Sequence, residues 1–218
     1  LKALIDGAAH ADASYRLVGA FCDRREAPGL SFATAADIPT AVFEPKSFTD
    51  KASYEAALFA AVELVGAELV VLAGYMRIVS AASVAAWHGR LINIHPSLLP
   101  AYPGLDTHAR VLRDGGDLHG ASVHYVTAVL DGGPVLMQVQ IAIDAGDTPD
   151  TIAARLLPCE HALLLAAVKL IAQGRVTLDR ELLHVDGQVL AAPLLLACAG
   201  PSKGIVLAAN LDTPDRSW

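Results

Sequence analysis

The stretch Leu91-Ile92-Asn93-Ile94-His95-Pro96-Ser97-Leu98-Leu99-Pro100-Ala101-Tyr102-Pro103-Gly104-Leu105 reads as an apolar strand that runs into a Pro-rich loop. Side chains alternate along a strand, so Asn93 and His95 project to one face, an amide donor beside a titratable imidazole. That pair suits acyl transfer, in which an attacked carbonyl becomes a tetrahedral oxyanion that needs a fixed donor and a proton shuttle. Taken alone it is ambiguous, because an Asn capping a strand end and a loop histidine held by backbone hydrogen bonds have the same spacing.

The flanks narrow the choice. Downstream, Ser122-Val123-His124-Tyr125-Val126-Thr127-Ala128-Val129-Leu130-Asp131-Gly132-Gly133-Pro134-Val135 reads as a strand, a short loop and a second strand. Asp131 falls in the loop beside Gly132 and Gly133, where the backbone can turn sharply and approach a ligand closely; it can orient His95 or hold a water. Upstream, Leu69 to Ala73 is a continuous apolar run, as is Leu91 to Ile94, the pattern of parallel strands buried on both faces. Strands alternating with helices imply βαβ units and an α/β fold built on an open twisted, mostly parallel sheet with helices on both faces. Ligands of such sheets collect at the carboxyl ends of the strands, where Gly74-Tyr75-Met76-Arg77 and Asn93-Ile94-His95 fall.

Further strands are expected over Tyr15 to Cys22 and Pro39 to Phe43, with a poor helix between them. Asp50 is placed to cap a helix whose apolar positions Tyr54, Leu58, Ala61, Val62 and Val65 recur at helical spacing, and Gly66 closes it. A helix from about Thr107 to Arg113 precedes the pairing of Ser122–Val126 with Pro134–Ile143 as an antiparallel-leaning extension of the sheet. A long helix then starts at Pro149 and Asp150, carries the stripe Ile152, Leu156, Leu163, Ala167 and Leu170, and is expected to kink or break at Pro158. Asp186-Gly187 predicts a hairpin within Leu182 to Leu190. From Ala191 to Trp218 no motif is readable; the Ala/Leu content can pack on the domain or mediate oligomerisation, and Pro201, Gly204 and Pro214 argue for irregular structure.

At 218 residues the chain is sized for one catalytic domain with a substantial core. The formal charge is -7 and no Lys/Arg cluster occurs, which argues against a nucleic-acid surface and for a small-molecule substrate. Apolar runs are interrupted by charge, Gly or Pro before membrane-spanning length, so no membrane association is expected. Three widely spaced cysteines, Cys22, Cys159 and Cys198, indicate neither a disulfide framework nor a zinc site, and no His/Cys/Asp spacing suggests any metal. A cytoplasmic location follows from that cysteine usage.

The combination of Asn93, His95, the His-Pro-Ser-Leu-Leu-Pro run, Ser122-Val123-His124 and Leu130-Asp131-Gly132-Gly133-Pro134 closely resembles the phosphoribosylglycinamide formyltransferases, folate-dependent formyltransferases of purine synthesis. The resemblance runs from Leu1 to about Leu178. It implies the formyltransferase fold and transfer of a formyl group from 10-formyltetrahydrofolate to the amine of glycinamide ribonucleotide, by direct attack through a tetrahedral intermediate. It also implies that Asn93, His95 and Asp131 are catalytic, with His124 supporting the formyl oxygen or the local hydrogen-bond network. Met76, Arg77, Ile78 and Val79, with Leu72, Leu91 and Val126 as apolar walls, match the folate pocket; Lys51 matches a residue that meets the folate's glutamate tail. Pro96 and Glu160 match positions on the glycinamide substrate. Reduced folate and glycinamide ribonucleotide are the implied partners, with a monomer or homodimer as the assembly.

Methionyl-tRNA formyltransferases and formyltetrahydrofolate hydrolases share the Asn-x-His strand and downstream Asp, and the segment Tyr102-Pro103-Gly104-Leu105-Asp106-Thr107-His108 separates this chain from both. Members of the family begin with a short strand and a Gly-rich phosphate loop at a helix N-terminus, whereas this sequence opens at Leu1-Lys2-Ala3-Leu4. Either the sequence omits those residues or the protein lacks them, and the gap left in a parallel sheet favours omission. The expected division is a catalytic domain at 1–180, without the first strand and phosphate loop, and a hairpin and tail at 181–218. The rival readings are a 10-formyltetrahydrofolate hydrolase and a non-catalytic folate-binding module.

Overall fold

The computed structural model describes residues 1–198 and a strand at 206–208. In chain order the elements are α1 (Lys2–Ala8), β1 (Ala20–Cys22), α2 (Pro28–Ala35), β2 (Thr40–Val42), a 3-10 turn (Pro45–Ser47), α3 (Lys51–Leu64), β3 (Val70–Leu72), α4 (Ala81–Ala86) and β4 (Leu91–His95). There follow α5 (Thr107–Arg113), β5 (Leu118–Tyr125), β6 (Val135–Ala142), α6 (Pro149–Ala172), β7 (Val176–Asp179), β8 (Leu182–Val185), β9 (Gln188–Val189), β10 (Leu194–Ala197) and β11 (Val206–Ala208). Among the described residues, six strands form the main sheet in the order β11-β10-β6-β5-β4-β3. The β3–β4 and β6–β10 ladders are parallel; β4–β5, β5–β6 and β10–β11 are antiparallel. A separate parallel pair joins β1 to β2, and β7-β8-β9 form an antiparallel sheet of their own.

Alternation along β4 sorts the core into two layers. Leu91 packs with Phe59, Val62, Val84 and Trp87 of the α3–α4 side, while its neighbour Ile92 packs with Leu156, Leu163 and Ala167 of α6. Helices therefore cover both faces, and Asn93 and His95 share the face of Leu91. Capping boxes start the two long helices: Asp50 accepts from the Ser53 N–H at 2.8 Å, and Thr148 from the Thr151 N–H at 3.2 Å. Gly66, at φ +69°, closes the α3 region as expected.

Several expectations need correction. The strand read over Tyr15–Cys22 forms a ladder only at β1, because Tyr15 and Leu17 pack their side chains into the core beside α1 without a strand partner among the described residues. The Leu69–Ala73 run is half-exposed rather than buried on both faces, since β3 is an edge of the main sheet among the described residues. The α6 helix continues through Pro158; both Pro158 and Ala154, whose carbonyl loses its N–H partner, lie on the exposed side, where water can satisfy the carbonyl. That helix is also long and apolar enough to cross a membrane by length and composition, yet Ile152, Leu156, Leu163 and Ala167 are buried in the protein, so it serves as a core helix.

The cysteine reading is overturned as well. Cys159 of α6 is disulfide-bonded to Cys198, which follows β10, while Cys22 is free. The pairing depends on β10 adding to the β6 edge under α6, a long-range placement that sequence spacing does not show. The Asp186-Gly187 hairpin forms between β8 and β9, and β10 packs the start of the C-terminal segment onto the domain. The irregular structure expected around Pro201, Gly204 and Pro214 lies outside the described residues.

Candidate active site

Antiparallel pairing of β4 with β5 puts Asn93 directly opposite His124, and His95 opposite Ser122. Cross-strand partners share a face, so the Asn-x-His of one strand and the Ser-x-His of the next build a single polar patch. Asn93 Nδ2 lies 3.2 Å from His124 Nε2. The His124 Nδ1 atom lies 3.0 Å from the Tyr125 carbonyl, so Nδ1 carries the proton and donates there, while Nε2 accepts from Asn93. Burial depresses the His124 imidazole, an effect that the Tyr125 carbonyl and Asp131 oppose only in part, and the ring is held neutral. Because a primary amide nitrogen has two protons, Asn93 keeps one N–H free for a ligand.

Asp131 joins the two histidines. Its Oδ2 is 3.5 Å from His95 Nδ1 and its Oδ1 is 3.6 Å from His124 Nε2, close approaches longer than direct hydrogen bonds. The Gly104 N–H donates to Oδ2 at 2.8 Å, tying this carboxylate to the loop after β4. Asp131 itself is left-handed at φ +50°, a conformation Asp tolerates better than most residues, and Gly133 follows where a Cβ would meet the Tyr125 carbonyl oxygen at 1.8 Å. The turn is thus built for close approach. On its other side, His95 Nε2 lies 2.9 Å from the Tyr102 carbonyl, so both ring nitrogens face oxygen atoms.

A cleft opens beside this cluster, lined by Asn93, His124, Asp131, Leu72 and Val126 and by Arg77, Ile78 and Val79 from the β3–α4 connection. Tyr75 and the segment Thr127 to Leu130 complete it, residues that the sequence reading quoted within longer stretches without assigning them to the folate pocket. Of the other expected folate residues, Met76 is exposed near the same connection, Leu91 is buried against Phe59 and Trp87 beneath the site, and Lys51 pairs with Glu55 at 3.5 Å. Arg77 pairs with Asp23 at 3.2 Å and lies over the Tyr54 ring, 5.7 Å from its centroid. Pro96 follows His95 directly in the loop, and Glu160 lies on α6, apart from the cleft lining. Burial alone pushes the Glu160 carboxyl up to about 7.

Sequence reasoning also missed Glu55. Its buried carboxylate accepts from the Ser80 N–H through both oxygens at 3.1 Å and from Ser83 Oγ at 2.8 Å, fixing the end of the segment that lines the cleft. Burial works against the ionised form, but the bonds from Ser80 and Ser83 overcome it and hold the carboxyl below its ordinary range. A helical-face reading cannot separate Glu55 from a solvated acid, because its partners lie 25 to 28 residues away. Among the described residues no group of His, Cys, Asp and Glu is placed to hold a metal ion.

Comparison with known proteins agrees with this geometry. Residues 1–168 match the formyl transferase family model. The chain is 40% identical over 190 residues to the phosphoribosylglycinamide formyltransferase of Escherichia coli, covering 87% of this chain and 90% of that one. It is 42% identical over 158 residues to the Bacillus subtilis enzyme of the same name, covering 72% and 80%. The solved phosphoribosylglycinamide formyltransferase of Coxiella burnetii superimposes with a TM-score of 0.83 at 38% identity, covering 87% of this chain and 89% of that one. Matched over most of its length in sequence and in structure, the chain belongs to the formyl transferase family, among the phosphoribosylglycinamide formyltransferases.

Proposed function

We infer that the chain transfers a formyl group from 10-formyltetrahydrofolate to the amine of glycinamide ribonucleotide, with Asn93, His95 and Asp131 as the catalytic groups and His124 in support. The observation that carries this reading is the Asn93–His124–Asp131–His95 cluster, of which Asn93, His124 and Asp131 line a cleft with apolar walls and His95 is buried behind Asp131. The amine nitrogen attacks the formyl carbon, forming the new C–N bond and an oxyanion. The free N–H of Asn93 donates to that oxyanion, held in direction by its partner bond to His124. His95 and Asp131 carry the proton released by the amine to the departing folate nitrogen as the old C–N bond breaks, so no covalent enzyme intermediate is needed.

The supporting cleft explains the division of labour between the two substrates. Leu72, Ile78, Val79 and Val126 offer apolar walls to a folate ring system, Arg77 joins them in the cleft lining, and Lys51, paired with Glu55, is assigned to the folate's glutamate tail. Pro96 and Glu160 are assigned to the glycinamide substrate. Residues 1–180 form the catalytic unit, and a cytoplasmic monomer or homodimer without nucleic-acid or membrane partners is the proposed working form. Formyl transfer followed with and without glycinamide ribonucleotide tests the reading: product that depends on the amine is expected, and amine-independent deformylation would replace the transferase by a hydrolase.

A further inference from the structure

The polar patch of Asn93, His124, His95 and Ser122 continues across the main sheet onto β6. His95 of β4 faces Ser122 of β5, and Ser122 faces Gln138 of β6, so the three side chains lie on one side of the sheet. All three are buried, Ser122 completely. Ser122 Oγ donates to the Ser97 carbonyl at 2.7 Å and accepts from the Leu99 N–H at 3.0 Å. The Gln138 amide nitrogen donates to Ser122 Oγ at 2.9 Å and to the Leu99 carbonyl at 2.8 Å. A hydroxyl offers one proton and two lone pairs, and an amide nitrogen two protons, so every one of these valences is used.

Apart from the bond between the two side chains, all of these contacts end on the loop that leaves β4. Within it, Ser97 Oγ donates to the Ala101 carbonyl at 2.7 Å and the Ala101 N–H to the Leu98 carbonyl at 3.0 Å. The next residue, Tyr102, presents its carbonyl to His95 Nε2 at 2.9 Å. The loop therefore starts at His95 and returns to it, with Ser122 and Gln138 gripping its middle. It is pressed against the sheet: a Cβ at Gly120 would stand 2.6 Å from the Leu98 side chain. An apolar pair of the same shape could fill the space under the loop, but it would leave the Ser97 carbonyl and the Leu99 N–H and carbonyl without these partners and could not direct them.

We propose that Ser122 and Gln138 are positioning residues for His95, acting through the 97–102 loop and the Tyr102 carbonyl that fixes the imidazole. The proposal rests on the reading of His95 as a proton-carrying group. The test is a double-mutant cycle in the full chain: Gln138→Leu and Ser122→Ala, each made alone and together with His95→Ala, with kcat and both KM values measured. In the parent, kcat is expected to fall about tenfold or more for a misplaced catalytic group while both KM values stay within about twofold. In the His95→Ala background neither substitution is expected to lower kcat further, because no imidazole is left to position.

Equal fold-losses in the two backgrounds, or losses carried by KM, would overturn the proposal and leave a purely structural network. Full turnover of His95→Ala on its own would overturn the reading beneath it, a different outcome from additivity. Should Gln138→Leu fail to fold, Ser122→Ala runs the same cycle with a smaller change of volume, and additivity there is equally decisive.

Discussion

Glu160→Gln tests how strongly the half-buried carboxyl on α6 resists ionisation. Raising a carboxyl from its ordinary 4.5 to about 7 by burial costs the folded state about 3 kcal/mol once the group is ionised, at about 1.4 kcal/mol per pH unit. Solvent at the partly exposed side chain trims that to roughly 1–3 kcal/mol. The folded state holds its proton more tightly than the unfolded chain, so stability falls as pH rises from about 4.5 and levels off above about 7. Gln has nearly the same shape and no charge to lose. The variant should match the parent at pH 4.5 and exceed it by roughly 1–3 kcal/mol at pH 8, read as midpoints of urea unfolding at intervals between. Subtracting the two profiles cancels the histidines, which are common to both. A difference between parent and variant that stays constant with pH would refute the argument that burial alone sets this carboxyl.

Asn93→Ala, His95→Ala and Asp131→Ala are each expected to lower kcat by about a hundredfold or more with the folate KM nearly unchanged, as measured by steady-state formyl transfer; parallel losses in both parameters would indicate structural damage. His119 is pushed down to about 4 by burial, with His108 and His95 adding to the effect, and its Nε2 lies 2.8 Å from His108 Nδ1. Its folded value lies below the unfolded one, so stability is retained above about 6.5 and lost as pH falls toward 4; His119→Leu should flatten that acid limb in unfolding measurements. Gly133→Ala places a Cβ 1.8 Å from the Tyr125 carbonyl oxygen and should cost several kcal/mol, on the order of 3 or more, with loss of turnover as the Asp131 turn shifts; an alanine variant with parental melting temperature and activity would contradict the close approach.

Local chemistry made much of the fold legible. The Asp50 cap, the Gly66 stop, the β4 run and the Asp186-Gly187 turn each depend on neighbours within a few residues, and each forms as read. Asn93 and His95 were visible for the same reason, since alternation along one strand places both on one face. What could not be read depends on which strands become neighbours. The β4–β5–β6 register decides that Ser122 and Gln138 stand in the row of His95, and no motif within either strand encodes it. The bond between Cys159 and Cys198, 39 positions apart in sequence, likewise exists because β10 pairs with β6. Pro158 misled in the opposite direction: a rule about lost hydrogen bonds applies weakly when the orphaned carbonyl faces water.

Asn93, His95, His124 and Asp131 all fall before α6 begins at Pro149, the helix whose Leu156, Leu163 and Ala167 close the core behind β5 and β6. During synthesis these four proposed site residues therefore leave the ribosome ahead of the element that buries the back of the sheet carrying them. A nascent chain arrested before Pro149 holds these four residues on a surface that α6 has yet to support.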